Sequence, residues 1–308
     1  FETRVSLTDK NGNPIPGSGS GISFEPESGQ NLLVAKITAS SSGKPHTFIF
    51  HQQLPKNKTP YLLQNDIARS HAYVNKQIPI SIVGSASPAL HVSYYNDLFP
   101  PAAAPFAATQ ARVSKTIKPD SSFLIKAGEK VSFINKGLYL AQQDTASTEG
   151  LAFRVEDDYP KLGRMENLTG PLLFICTAEE AKKLQQVGND KKKFDQIILS
   201  ITGNTERARI FMRNYFKRVE LANQYFTSYK EGWKTDRGMI YIIFGSPQEV
   251  YLFEDREVWE YNNSNGKIRF QFVKSPTLFD PENHVLIRDK KFRDTWYKTV
   301  DLCRKARF

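Results

Sequence analysis

Gly232-Trp233-Lys234-Thr235-Asp236-Arg237-Gly238 is the stretch on which the reading of this chain turns. It lies between a long amphipathic helical pattern and the apolar run Met239-Ile240-Tyr241-Ile242-Ile243-Phe244-Gly245, which reads as a strand. Gly232 falls where the helix should stop, the commonest place for a left-handed C-cap glycine. Trp233 brings a large apolar surface with one N–H donor, Asp236 can accept backbone N–H groups in the turn, and Arg237 offers a planar fork for a carboxylate. Such a cluster is expected to pin a helix to a sheet. It contains no nucleophile–base pair, phosphate-cradling loop or metal-ligand spacing, so packing and turn chemistry is preferred to catalysis here.

Upstream, Asn204 or Thr205 caps a helix running to about Tyr229. Phe211, Tyr215, Val219, Ala222 and Phe226 form its apolar stripe, widened by Met212 and Phe216. Arg207, Arg209, Arg213, Lys217 and Arg218 give it a basic face, either solvated or turned to an acidic partner or lipid headgroups. Further back, Thr177-Ala178-Glu179-Glu180 is a capping box opening a short helix through Leu184, and Pro171-Leu172-Leu173-Phe174-Ile175 reads as a strand. Downstream, strands are expected at Glu257–Asn262, Lys267–Val273 and His284–Arg288, the first two joined by a hairpin over Asn262–Gly266 that ends in Asn-Gly. A terminal helix from about Asp294 to Lys305 should turn Trp296, Val300 and Cys303 inward.

The N-terminal half reads differently. Short runs of alternating polarity, such as Leu32–Ile37, His46–Phe50, Leu90–Tyr95 and Leu151–Val155, are separated by Gly, Asn and Pro at intervals of about ten residues, as in the turn Asp9–Pro14. The expected architecture is an immunoglobulin-like β-sandwich over 1–62, whose first strand-like run is Phe1–Leu7 and which is expected to lack strands preceding Phe1. A second β-sandwich over 63–165 and an α+β domain with an antiparallel sheet over 171–308 should follow. The proline-rich loop Asp97–Phe106 is either a buried crossing or a ledge for a partner.

The chain has 308 residues, 40% of them hydrophobic and 24% charged, with a formal net charge of +10. Residues 171–308 carry +7 of that excess, interspersed with acids and without a zinc-finger, helix-turn-helix or base-stacking pattern, which argues against nucleic acid. No apolar run approaches the ~20 residues that span a bilayer. Because the sequence starts at Phe1 without a visible signal, any export or anchoring signal is expected upstream. Cys176 and Cys303 sit among apolar neighbours and read as buried thiols, with a disulfide between them left open, and the five scattered histidines suggest no metal site. No cofactor is implied.

Tyr225–Gly238, followed by Phe244-Gly245-Ser246-Pro247-Gln248-Glu249-Val250-Tyr251 and by Glu257-Val258-Trp259-Glu260-Tyr261, closely resembles the GWxTD-domain family of exported bacterial proteins, found mainly in the Bacteroidota. The likeness reaches back through Gly137-Leu138-Tyr139 and Tyr94-Tyr95. It implies a periplasmic or outer-membrane-associated protein, often a lipoprotein, with β-sandwich domains before the signature domain and no established catalytic residues. Gly232, Trp233, Thr235, Asp236, Arg237, Gly238, Gly245, Pro247 and Trp259 are then structural signature positions. A looser analogy, from Ile243–Val250, Val258–Tyr261 and Ile268–Phe272, is to the small lipoprotein subunit of the outer-membrane β-barrel assembly machine.

Asp144-Thr145-Ala146 resembles the O-glycosylation acceptor of exported Bacteroidota proteins, with Thr145 as the site. Asn57-Lys58-Thr59, Asn167-Leu168-Thr169 and Asn262-Asn263-Ser264 match the N-glycosylation pattern by chance. The expected function is a non-enzymatic scaffold or interaction subunit at the outer membrane, part of a protein assembly or export complex. Its partners are other proteins, and a lipid anchor outside this chain would meet the membrane. Two readings compete: a glycan- or peptide-directed hydrolase using Asp236 with Glu257 or Glu249, and a glycan-binding module stacking sugars on exposed aromatic rings.

Overall fold

The structure, a computed structural model, describes residues 117–308 except 149, 264 and 265, together with 73–76, 78–83, 89–96, 98–108 and five strands before residue 65. The run Phe1–Leu7, the turn Asp9–Pro14 and the tripeptide Asn57–Thr59 lie wholly or mostly outside the described residues.

In chain order the strands are β1 (Leu7–Thr8), β2 (Pro14–Ile15), β3 (Leu32–Thr38), β4 (Pro45–His51), β5 (Leu62–Gln64), β6 (Tyr73–Asn75), β7 (Ser81–Val83), β8 (Ala89–Tyr95), β9 (Ser121–Lys126), β10 (Gly137–Gln142) and β11 (Leu151–Glu156). Helices α1 (Met165–Leu172), α2 (Ala178–Gln185), α3 (Lys191–Thr202), α4 (Thr205–Phe226) and α5 (Asp236–Phe244) follow, with a single 3₁₀ turn at Gly232–Lys234. Strands β12 (Glu249–Leu252), β13 (Arg256–Asn263), β14 (Gly266–Lys274) and β15 (His284–Leu286) precede the last helix, α6 (Phe292–Arg304). The described chain thus combines largely antiparallel sheets with six α-helices.

Two compact units partition it: residues 1–56 with 246–274, and residues 57–245 with 275–308. In the first, β12, β13 and β14 form an antiparallel meander, and β4 lies parallel to β12 with β3 antiparallel beyond it. The meander is stabilised by cross-strand pairs, including Trp259 opposite Phe270, and by the Trp259 ring tilted against Phe272 at 4.9 Å. Asn263 pairs with Gly266 at the hairpin end, where Gly266 has φ +111°.

The second unit is built on the sheet β6-β11-β10-β8-β9, antiparallel except for the β6–β11 pair. Its central strand β10 is buried along its whole length, because both faces are covered. Strand alternation sends Tyr139, Ala141, Phe153 and Val155 to one face, against Ile80, Ile82 and Phe133, and Leu138, Leu140 and Ala152 to the other, against Phe99, Tyr229 and Phe279. The same alternation places Arg154 and Glu156 beside Ala152, on the face that meets the signature.

Several helical expectations hold. Thr177 and Glu180 form the reciprocal capping box of α2, Asn204 caps α4, and α4 buries Phe211, Tyr215, Val219 and Ala222. Trp296, Val300 and Cys303 point inward from α6. Helix α3, capped by Asp190 and closed by Gly203 at φ +88°, has no counterpart in the sequence reading.

Two expected strands are helices. Pro171–Ile175 is the end of α1 and its following turns, with Leu173 and Ile175 donating to the Gly170 and Leu172 carbonyls at 3.1 and 3.0 Å. Met239–Phe244 belongs to α5, in which Met239, Ile240, Ile242 and Ile243 are fully buried. A helix apolar on all sides presents no periodic polar face, so its sequence is indistinguishable from a buried strand. Gly232 does not cap a helix either: α4 ends at Phe226 with an extended Thr227, and Gly232 opens the 3₁₀ turn.

Candidate functional site

The signature folds into a closed hydrogen-bonded knot. Gly232 lies so close to α4 that a Cβ there would stand 2.1 Å from the Ala222 carbonyl oxygen, and its N–H donates to the hydroxyls of Tyr159 and Thr227 at 3.0 and 3.1 Å. The Trp233 N–H donates to Asn223 Oδ1 at 3.0 Å, and Asn223 in turn donates from Nδ2 to the Pro160 carbonyl at 2.9 Å. The Trp233 indole is buried over Gly170 of α1, where a Cβ would come within 2.7 Å of the ring, and meets Phe174 edge-on at 6.1 Å. Trp233 therefore fastens helices to one another, where a helix-to-sheet contact was expected.

Thr235 is the N-cap of α5, accepting from the Gly238 N–H at 3.0 Å and donating its hydroxyl to the Gly232 carbonyl at 2.8 Å. Asp236 follows in the first turn and accepts the Leu286 N–H at 2.9 Å, while Arg288 Nη2 lies 2.5 Å from its other oxygen. Arg288 is thus its ionic partner, and the guanidinium of the adjacent Arg237 sits 5.6 Å over the Phe226 ring. At the far end of α5, Arg218 donates to the Ile242 and Ile243 carbonyls at 3.1 and 3.0 Å and packs against Gly245, which has φ +79°. Arg218 hence caps a helix, whereas Arg207, Arg209, Arg213 and Lys217 remain exposed.

Beside the knot lies a buried ionic cluster that no sequence motif announced. Arg154 reaches Glu156 at 2.6 Å and Glu231 at 3.6 Å and donates to the Tyr229 carbonyl at 3.0 Å. Lys136 pairs with Glu156 at 3.0 Å and Lys234 with Glu231 at 2.9 Å. Burial pushes the Glu231 carboxyl up, but Arg154 and Lys234 more than offset it and hold the group below the ordinary glutamate range.

The proline loop is strapped across the signature. Ala102 N–H donates to the Lys234 carbonyl at 2.9 Å, Arg288 Nη2 to the Ala103 carbonyl at 3.0 Å, and Phe99 meets Tyr229 edge-on at 4.9 Å. Together they enclose a small cleft with Pro100, Tyr229, Lys230, Asp236, His284 and Arg288 in its lining. Lys230, absent from the sequence-based site, stands out. Its ammonium has a long hydrogen bond of 3.4 Å to the Pro100 carbonyl, and burial lowers its pKa to about 8.

That shift fixes the sign of a pH effect. An unfolded lysine keeps its proton to about pH 10.4, so between about 8 and 10.4 the unfolded state binds more protons and stability must rise with pH. The thiols act in the opposite direction: burial pushes Cys303 to about 11 and Cys176 to about 12, which costs stability above their ordinary range. Comparison with Lys230→Met isolates the lysine. The variant is expected to be more stable than the parent by about 1–3 kcal/mol at pH 7, with the gap closing by pH 10 in denaturant titrations. A constant gap would refute the assignment.

In the first unit, Glu257 accepts from Trp259 Nε1 at 2.6 Å, Glu249 accepts from the Tyr251 hydroxyl, and Pro247 is buried. Fully buried Glu260 is held by Lys267 at 2.5 Å and Arg269 at 2.7 Å. All three tryptophans are buried, both cysteines are free thiols, and Thr145 is exposed in a turn where Asp144 accepts the Ala146 N–H. Among the described residues no cluster of metal-ligating side chains occurs, and no helix is long and apolar enough to cross a membrane.

The profile of the GWxTD domain matches residues 137–305, which hold the central strand β10, the whole knot and the ionic cluster apart from Lys136. This chain belongs to the GWxTD domain family. No curated protein and no solved structure matches it. In this GWxTD protein the five letters of the name have separate mechanical tasks: close approach to α4, an indole between helices, an ammonium for Glu231, a helix cap and an anchor for Arg288.

Proposed function

We propose that this protein is a non-enzymatic interaction subunit, exported and held at the outer membrane, which serves as a scaffold in a protein assembly or export complex. In this reading the regions 1–62 and 63–165 act as immunoglobulin-like spacer or docking modules, and a lipid anchor lies outside the chain. Thr145, exposed in its turn, is the proposed O-glycan acceptor. The exposed basic side chains of α4, Arg207, Arg209, Arg213 and Lys217, are the surface offered to an acidic partner.

The observation that supports this reading most is the commitment of the signature to internal bonding. Asp236, Glu257 and Glu249, the carboxylates of the hydrolase alternative, each hold a neighbour within their own unit: Arg288 and Leu286, Trp259, and Tyr251. The glycan-stacking alternative draws no support from indoles that are all buried. Affinity purification of the native protein from gently solubilised membranes tests the proposal. Stable co-purification of outer-membrane proteins, weakened when Arg207, Arg209, Arg213 and Lys217 are changed to glutamate, is the expected result. Recovery only as a free monomer would refute it.

A further inference from the structure

We propose that the cleft between the signature turn and the proline loop is a binding site for a carboxylate group. Lys230 and Arg288 both line it, and Lys230 has unused bonding capacity. Among the described residues the Lys230 ammonium has no carboxylate within ion-pairing distance, and its hydrogen bond to Pro100 is long at 3.4 Å. Arg288 gives its Nη atoms to Asp236 and to the Ala103 carbonyl, and its Nε is buried out of reach of the cleft. A desolvated ammonium with one long hydrogen bond is costly unless a further group accepts from it. A carboxylate provides two acceptor oxygens.

The charge balance selects the ligand class. Asp236 already neutralises Arg288, which leaves Lys230 as the one uncompensated cation of the lining. A monoanion would balance it, whereas a phosphate dianion would also have to face the Asp236 carboxylate. Pro100 and the Tyr229 ring supply apolar walls suited to the chain carrying the carboxylate, so a peptide's terminal or side-chain carboxylate fits the cleft's chemistry. This site stands whether or not the protein is a scaffold.

The groups acting on Lys230 are Asp236 and Glu231, which favour its charge, and Lys234 and Arg288, which oppose it. Binding requires the protonated amine, so affinity should fall as the pH rises through about 8.

The test is a calorimetric titration of the full chain at pH 7 with a short proline-containing peptide in three forms: free C-terminal carboxylate, C-terminal amide, and amide with an internal aspartate. Acetate and inorganic phosphate are titrated in parallel. The expected result is binding of at least one carboxylate-bearing peptide, weakened at least tenfold in Lys230→Gln and by raising the pH to 9.5. The terminal and aspartate forms distinguish the two sources of the group. A second readout, the pH titration of the Lys230 side-chain amine by NMR in the unaltered protein, should move upward when the ligand is added. Absence of carboxylate binding, undiminished affinity in the variant, phosphate bound as tightly as the peptide, or an unmoved lysine titration would each overturn the proposal.

Discussion

Gly232→Ala is expected to leave the second unit unable to reach its native packing, with a loss of roughly 4–5 kcal/mol or more. The added Cβ would stand 2.1 Å from the Ala222 carbonyl oxygen and 2.6 Å from the Asn223 Cα, and both are main-chain atoms inside α4 that no rotamer change can move aside. Gly238→Ala meets the same obstacle from the other side, with its Cβ 1.8 Å from the Gly232 carbonyl oxygen. The two glycines therefore guard one crossing, where the 3₁₀ turn passes between α4 and α5. Gly128 offers the control, since nothing lies within 4 Å of a Cβ there, although its φ of +78° makes Gly128→Asn a gentler choice than alanine. Denaturant midpoints and yield of folded protein would decide the matter. Near-parental stability of Gly232→Ala would mean that this close approach is not what the glycine provides.

Arg154→Met should cost about 3–5 kcal/mol at neutral pH, because it strands Glu156 and Glu231 in the interior with one ammonium each. The pH dependence distinguishes this from simple loss of packing. In the parent, Glu231 has its folded pKa below the ordinary value, so its contribution is complete above about 4.5 and lost as the pH falls through the folded pKa. In the variant the burial of Glu231 is no longer offset by Arg154, its folded pKa rises, and stability should fall as the pH rises from 5 to 7. The parent should show no such decline in that window from Glu231. Addition of Glu231→Gln to Arg154→Met should recover part of the loss, a coupling that a double-mutant cycle would measure. An additive cycle, or a loss under 1 kcal/mol, would show that the cluster does not act as a unit.

What the sequence made legible was local chemistry. The Thr177–Glu180 box, the Asn204 cap, the stripe of α4, the inward face of α6 and the pairing of Asn263 with Gly266 all arise from residues within a few positions of each other. What it concealed arises from partners brought together by the fold. Arg288 lies 52 residues from Asp236, and Arg154 75 from the Tyr229 carbonyl it binds, so no local pattern pointed to either pairing. Arg154 and Glu156 also carry charge in a strand, a pattern that normally marks a wet face, yet here that face is covered. The apolar run of α5 misled because complete burial erases the polar side by which a helix is recognised. Lys230 gave no signal at all, since its character depends on a proline loop 130 residues earlier.

The position of β10 bears on how this protein can be cut. The GWxTD match starts at Gly137, the first residue of that strand, whereas β10 is hydrogen-bonded on one side to β8, which lies upstream of the match. An expressed fragment beginning there would lose Val92, Ile80 and Ile82 from beneath Tyr139 and Phe153 and would bare an open, apolar strand margin to solvent. Such a margin invites self-association. The limits of the recognisable pattern are therefore not the limits of a foldable piece, and any shortened version of this protein should retain the upstream strands.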